Sequence, residues 1–429
     1  MSIEVEFSPE EAVSFFDRPD VEKQEIPVGR GVPLGIARVS HPAMGLGGAY
    51  GAWGESYDNE TLKELIEDRL RISLSEEDRL DLAPLGFVSR HHLWDLSEDE
   101  QREVELEVGA RFLREAANAS GWKPEEVDAV MIGMSGPVSE DYTEQIAKAA
   151  GVPDSALKVS VHKACDSSMG ALQLALNPDL EINRRSIRNL ADELRGKKVL
   201  VGGIEGLSRF LGRSRDLNAL QLFGNGAGVI GVIPGKTMNF LLGKAYELFD
   251  EQGVLAVKMY YPHSRRRIEG ESLVEVSEAG ENHIRFSGLM HEPEGEMPVE
   301  MAGPMGMVKL FVRAGVDVVR DVYGAYQSLM EEYGTPAREV AVAIVHHANL
   351  KINLLKEKHL QRAGINLPMP WLLSEFGNVS AASNMIAFLR QLPKLNPGDH
   401  VLFDGFGAGT YYDVFAVVLG QTSPATVEP

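Results

Sequence analysis

Short segments that are apolar at nearly every position alternate with amphipathic ones along most of the 429-residue chain. A strand with no polar face must be covered on both sides, and the intervening helices are what can cover it. "EEVDAVMIGMS", "ALKVSVH", "KKVLVGGIE" and "AGVIGVI" are therefore read as buried strands, with "GIARVS" before them. "VAVAIVHHAN", "HVLFDGFGAG" and "YYDVFAVVLG" repeat the pattern in the second half. "NETLKELIEDRL", the stretch from Glu98 to Ser120 closed by Gly121, "NLKINLLKEKHLQRAG" with Gly364 at its end, and "SAASNMIAFLRQL" stopped by Pro393 read as helices. The run from "AGPMGMVKL" to "MEEYG" reads as one long helical segment. Residues 1–33 are acidic and without period, and are read as an extension; "QTSPATVEP" reads as a loose tail. Two halves with the same grammar suggest an internal duplication of a βα unit.

Composition excludes several classes. The net charge of −21 argues against nucleic acid or an anionic membrane as the main partner, since both require neutralising Lys and Arg. No apolar run is long enough to cross a bilayer. The acidic start "MSIEVEFSPEEAVSFF" lacks a basic region followed by an apolar one, so no secretory signal is expected. A single cysteine forms no internal disulfide, which fits a cytoplasmic location.

That cysteine, Cys165, lies in "SVHKACDSSMGALQLAL", between a strand ending near His162 and an apolar helix stopped by Pro178. A helix start carries partial positive charge and free N–H groups. Both favour a thiolate and would lower the thiol pKa from about 8.5; the same N–H groups can hold an oxyanion. The competing reading is that a lone cysteine among small and apolar residues is a buried hydrophobe. Two further stretches bear on the choice. "AIVHHANLKI" puts His346 and His347 at a strand end before a helix, and "EFGNVSAASNM" puts Asn378 in a turn before another. Strand ends facing helix starts are where open α/β sheets build sites. Residue chemistry alone does not say which histidine would serve. "FGNGAG" precedes a strand rather than a helix, so it reads as a tight turn and not a phosphate loop. The pairs His91–His92 and His346–His347 lack metal-ligand spacing, and no metal site is expected.

"ACDSSMGAL", "HHANLKI", "FGNVSAAS" and "FGAG" together resemble, in order and nearly in spacing, the thiolase superfamily, and most closely its β-ketoacyl-acyl carrier protein synthase III (KAS III) branch. That branch has A-C-x-G-x-x-x-A-L, H-Q-A-N-L-R and G-N-T-S-A-A-S at these places. "GFVSRHH", "GGIEGLSR" and "LFGNGAGVIGV" resemble further family segments, and the likeness runs from about Gly35 to about Gly420. It implies a thiolase-like α/β fold of two duplicated βαβαβαββ halves, in a five-layered αβαβα sandwich. The halves would span residues 34–235, with the cysteine, and 236–421, with the histidine and asparagine, leaving 422–429 as tail.

The resemblance also implies a reaction. Cys165 would take an acyl group from a thioester. His346, rather than His347, and Asn378 would hydrogen-bond the carbonyl of a malonyl-type thioester as it loses carbon dioxide. A Claisen condensation follows, with the backbone N–H groups of Cys165 and Ala408 as oxyanion hole. No cofactor is implied beyond substrates carried on coenzyme A or acyl carrier protein, and the family implies a homodimer. The sequence departs from the family at several places. Asp166 and Ser167 follow the nucleophile, Asn225 stands for an Asp, and Ala408 for a Gly. Leu80 falls where some members have an adenine-stacking tryptophan; Arg209 matches an arginine near the adenine. Lys351, Lys358 and Arg362 fall on one helical stripe that would suit an acidic carrier protein, or would be an ordinary solvated face. "SRFLGRSR" and "HSRRRIEG" are further basic clusters. Alternatives on the same fold are acyl transfer to an alcohol or amine and condensation without decarboxylation, which would want a carboxylate near the thiol; a non-catalytic subunit is the reading from another class.

Overall fold

The apolar segments become strands of two sheets, separated by a layer of helices. The structure, a computed structural model, describes residues 22–135, 138–185, 188–212, 214–247, 257–259, 274–288, 299–301, 304–408 and 410–420. In chain order the main strands are β1 (Glu22–Val28), β2 (Val32–His41), β3 (Leu46–Trp53), β4 (Ala129–Gly133), β5 (Leu157–His162), β6 (Val199–Glu205), β7 (Gly226–Val232), β8 (Met238–Glu247), β9 (Val274–Gly280), β10 (His283–Gly288), β11 (Val342–Val345), β12 (His400–Asp404) and β13 (Tyr411–Leu419). The first sheet has nine strands in the order β1-β2-β3-β7-β6-β4-β5-β10-β9. Its centre, β6-β4-β5, is parallel. The second sheet has the order β8-β13-β12-β11.

The main helices are α1 (Glu98–Ala119), α2 (Tyr142–Ala150), α3 (Ser167–Leu176), α4 (Gly315–Glu332), α5 (Leu350–Arg362) and α6 (Ser383–Gln391). α1 and α2 cover the outer face of the first sheet, α3 and α6 lie between the sheets, and α4 with α5 cover the outer face of the second. This is the five-layered αβαβα arrangement of a thiolase-like fold. The period of two in each strand serves both covered faces. In β12, Val401 and Phe403 join the core between the sheets, while Leu402 joins the core under α4 and α5. α3 is buried at every one of its ten positions, as a helix sandwiched between two sheets must be.

Several expectations need correction. Residues 22–33 are not an irregular extension: β1 pairs antiparallel with β2 throughout its length. Its alternating exposure and Pro27 suit an edge strand, where charge and a missing donor are tolerated. β3 was unforeseen because glycines 47, 48 and 51 erase its hydrophobic pattern. They are there for space. A Cβ on Gly47 would overlap the Ala119 carbonyl at the end of α1. The hairpin β9–β10 was also unforeseen; β10 pairs parallel with β5, and His283 hydrogen-bonds Ser160 Oγ at 2.9 Å. The long helical run before α4 is divided, with a π-helical stretch at Val308–Ala314. The tail and "HSRRRIEG" lie outside the described residues. Among the described residues no helix is long and apolar enough to cross a membrane.

The glycine argument predicts opposite signs at two positions. Gly47→Ala should lower stability by about 1–3 kcal/mol through overpacking. Gly324→Ala, in mid-α4 with open space around it, should raise stability by about 0.5–1 kcal/mol. Urea midpoints of the two variants check both.

Candidate active site

β5 ends at His162, and the chain turns through Lys163, Ala164 and Cys165 before α3 begins at Ser167. The turn is tight. Ala164 holds a left-handed conformation at φ 51°, which disfavours a side chain by on the order of 1 kcal/mol. Ser167 secures it, accepting from the Lys163 N–H at 2.7 Å and donating to the Ala164 carbonyl at 2.6 Å. Below it, Gly133 at the end of β4 has no room for a Cβ against the Ser167 backbone.

The asparagine turn sits across from this one. Asn378 N–H donates to the Leu222 carbonyl at 2.8 Å, and its side-chain oxygen accepts from the Ser380 N–H at 2.9 Å. Ser380 is itself left-handed, at φ 45°. That geometry aims its hydroxyl at the thiol, and Ser380 Oγ lies 3.0 Å from Cys165 Sγ. Ser380 therefore joins the cysteine turn to the asparagine turn. The Asn378 amide also reaches the Ala348 carbonyl at 3.5 Å, beside the histidines.

The two histidines differ in what they have to spare. His347 uses both ring nitrogens: Nδ1 bonds the Val345 carbonyl at 2.8 Å, and Nε2 accepts from the Leu372 N–H at 3.1 Å. His346 Nδ1 is buried without a partner. Its ring lies in an apolar wall with Phe311 and Phe406, at centroid distances of 6.3 and 6.4 Å. Phe311 comes from the π-helical stretch, whose extra residue per turn re-aims side chains. Ala164, Phe311, Ala348, Phe406 and Ala408 belong to one apolar cluster, so the three turns meet there. Burial, with His347 and Lys356 nearby, pushes the His346 imidazole down to about 3, and burial pushes His347 down to about 4. Both are neutral near pH 7, which suits His346 to donate a hydrogen bond without bringing net charge.

Ala408 sits in a tight turn closed by reciprocal backbone bonds of 2.9 Å between Gly407 and Tyr411. Gly407 presses on the cysteine turn: a Cβ there would overlap the Lys163 carbonyl. Among the described residues, neither the Cys165 nor the Ala408 N–H donates to a carbonyl. No group of three or more His, Cys, Asp or Glu side chains could hold a metal among those residues.

Two expectations change. Cys165 is buried, and its thiol is pushed up to about 12, not down. Loss of solvent is the main cause; Glu205 and Asp166 add to it, while the Ser380 bond opposes it. The helix start does not outweigh dryness. Arg209, expected at a coenzyme-binding surface, is buried and paired with Glu105, Nε to Oε1 at 3.0 Å and Nη2 to Oε2 at 3.3 Å. Asp166, which adds to the rise of the thiol, also joins a buried cluster with Lys163 and Asp413. Lys351, Lys358 and Arg362 do lie exposed on α5, and none is ion-paired among the described residues.

The family model for 3-oxoacyl-[acyl-carrier-protein (ACP)] synthase III, C terminal, matches residues 330–419, the span holding His346, Asn378 and Ala408. A β-ketoacyl-[acyl-carrier-protein] synthase III of Aquifex aeolicus is 25% identical over 309 residues, covering 70% of this chain and 80% of that relative. One of Desulfotalea psychrophila is 27% identical over 315 residues, covering 70% and 81%. The solved 3-oxoacyl-(acyl carrier protein) synthase III of Pseudomonas aeruginosa superposes with a TM-score of 0.56 at 20% identity, over 86% of this chain and 95% of that one. These likenesses support a KAS III-like member of the thiolase superfamily. Sequence reasoning missed three polar groups around the thiol: Ser380, Ser135 and Glu205. Ser135 Oγ hydrogen-bonds Ser380 Oγ, and Glu205 Oε1 accepts from the N–H groups of Ser135 at 2.7 Å and Ala381 at 3.1 Å. The available signal was a carboxylate closing the apolar strand "KKVLVGGIE".

The buried histidines fix a sign for pH dependence. Their folded-state values lie below that of an unfolded histidine, about 6.5, so the unfolded chain binds more protons in mild acid. Stability should fall as pH drops below about 6.5, by up to roughly 1.4 kcal/mol per pH unit for each such histidine. His347→Asn should reduce the slope of unfolding free energy between pH 6 and pH 5 by about that amount; urea titrations at the two pH values measure it.

Proposed function

We propose that the chain is a condensing acyltransferase of fatty acid or polyketide synthesis that works through an acyl-cysteine at Cys165. The observation that carries this reading is the linkage of the cysteine and asparagine turns through Ser380, with a neutral His346 walled by Phe311 and Phe406 of the apolar cluster that also holds Ala164. In the first half-reaction the Cys165 thiolate attacks an acyl thioester carbonyl, and the N–H groups of Cys165 and Ala408 hold the resulting oxyanion. In the second, a malonyl-type thioester places its carbonyl against His346 and Asn378. Decarboxylation puts negative charge on that oxygen, and two neutral donors in a dry site stabilise it strongly. The enolate carbon then attacks the acyl-cysteine, forming the new C–C bond and expelling the Cys165 thiolate. Glu205 meets the thiol only through two hydroxyls, which favours loss of carbon dioxide, rather than deprotonation by a carboxylate, as the source of the enolate.

The acyl group arrives as a thioester of coenzyme A or of an acyl carrier protein. Lys351, Lys358 and Arg362, exposed and without an ion-pair partner among the described residues, favour an acidic carrier, and Arg209, held by Glu105, contributes no surface charge. The resemblance implies a homodimer, which size-exclusion light scattering tests.

Incubation with a panel of acyl-CoA and acyl-carrier thioesters should add one acyl mass to Cys165 for at least one donor, seen by intact-protein mass spectrometry. No adduct with any donor, in folded protein, would sink the proposal. His346→Ala and Asn378→Ala should still acylate but lose malonyl-dependent release of carbon dioxide by about 10²–10³-fold. Acylation with carbon dioxide release unchanged by either substitution would instead point to transfer onto an alcohol or amine. Reversing Lys351 and Lys358 to Glu should slow carrier-borne donors and leave coenzyme A donors unaffected, as read by initial rates at low salt.

A further inference from the structure

The reaction needs a thiolate, yet the thiol is buried in a site that opposes charge. Taking its proton to bulk water would leave Cys165 and Glu205 both negative in the same dry region, which is costly. The structure supplies another route. Ser380 Oγ contacts Cys165 Sγ at 3.0 Å, Ser380 Oγ hydrogen-bonds Ser135 Oγ, and the Ser135 N–H donates to Glu205 Oε1 at 2.7 Å, with the Ser135 hydroxyl beside the same carboxylate. Four groups from four segments thus lie in one line from thiol to carboxylate. We propose that Glu205 accepts the Cys165 thiol proton, relayed through the Ser380 and Ser135 hydroxyls.

The relay conserves charge. The S–H bond breaks as its proton moves to Ser380 Oγ; the Ser380 proton moves to Ser135 Oγ, and the Ser135 proton to Glu205. The products are a thiolate and a neutral carboxylic acid. The Ser380 hydroxyl then donates to the sulfur anion. Glu205 holds the proton while Cys165 is acylated and returns it by the same path when condensation expels the thiolate. The thiol group leaving in the first half-reaction takes its proton from solvent.

Glu205 suits the part. Burial pushes its carboxyl up to about 7; the Ser135 and Ala381 hydrogen bonds oppose the rise and Glu105 adds to it. The charged and titratable groups around the pair are Glu105 on α1, neutralised by Arg209 from the short helix Leu207–Leu211, then Tyr142 on α2, and Asp166 beside the thiol. The Tyr142 hydroxyl donates to the Glu105 carbonyl. None of these interrupts the hydroxyl chain.

This deepens the acyl-cysteine reading and rests on it, so the test uses no acyl donor. Cys165 is the only thiol, and its alkylation by iodoacetamide, followed by intact mass from pH 5 to pH 10, reports the thiolate directly. With the relay, the rate rises through a step near pH 7. Glu205→Gln should remove that step and slow alkylation at pH 7.5 by at least about tenfold. Ser135→Ala should do the same while the Glu205 carboxylate remains. A like charge acting on the thiol without a relay predicts the opposite sign, because its removal would make the thiol more acidic. Equal or faster alkylation of Glu205→Gln therefore overturns the proposal. Should that variant fail to fold by circular dichroism, Ser135→Ala and Ser380→Ala decide it on the same criterion. Alkylation that follows the relay, with no acyl adduct from any thioester, would keep the relay and remove the acyl-cysteine reading.

Discussion

One buried cation sets the geometry of the nucleophile. Lys163, two residues before Cys165, reaches across the helix layer to pair with Asp413 on β13, and lies 3.4 Å from Asp166. A lone charge in this environment would be expensive, and the pairing offsets that cost. Burial alone would pull the Lys163 ammonium down, but Asp413 and then Asp166 raise it above its ordinary value. Burial and the neighbouring Asp413 in turn push the Asp166 carboxyl well up. The sheet that carries Cys165 is thereby tied to the sheet that carries the Ala408 turn. Gly405 and Gly407 follow from the same contact, since a Cβ on either would collide with Asp166.

Dryness then has two consequences that pull apart. It keeps His346 neutral, so the imidazole can donate a hydrogen bond without net charge. It also holds the thiol protonated. A helix N-terminus is the usual device for lowering a cysteine pKa, but here solvent exclusion outweighs it. In the proposed relay the thiol proton stays inside the protein, and the thiol need not open to water.

What could be read from the sequence was what is local. The strand ending at Gly133 announces itself by an unbroken apolar run and the one ending at His162 by alternation, and the cysteine, histidine and asparagine each sit in a motif a few residues long. What could not be read is assembled from afar. Ser135 and Ser380 are 245 positions apart, and Ser135 and Glu205 are 70 apart. Arg209 looks like a surface arginine in "SRFLGRSR" until Glu105, from another helix, buries it. β3 is hidden because its glycines serve close backbone approach and carry no apolar signal. His346 and His347 could not be told apart by type; the two carbonyl and amide partners that occupy His347 come from the tertiary fold.

A second buried lysine completes the argument about the Ala408 turn. Lys356 on α5 pairs with Asp404 at 2.5 Å, and its ammonium stands over the Phe311 ring at 4.5 Å. Asp404 and Asp413 flank Gly405 at the paired ends of β12 and β13. By the alternation of those strands, Asp413 faces the inner helix layer with Phe415, and Asp404 faces the outer one with Leu402. The end of the second sheet is thus gripped from both faces by buried ion pairs, one from the nucleophile turn and one from the helix that follows His346. Hydrophobic residues of similar volume could supply as much stability. An ion pair supplies what they cannot, a fixed direction for each partner. That directionality fixes the Ala408 turn and the helix after His346 relative to the cysteine turn, and the proposed oxyanion hole, split between two sheets, would depend on such register more than on the strength of either contact.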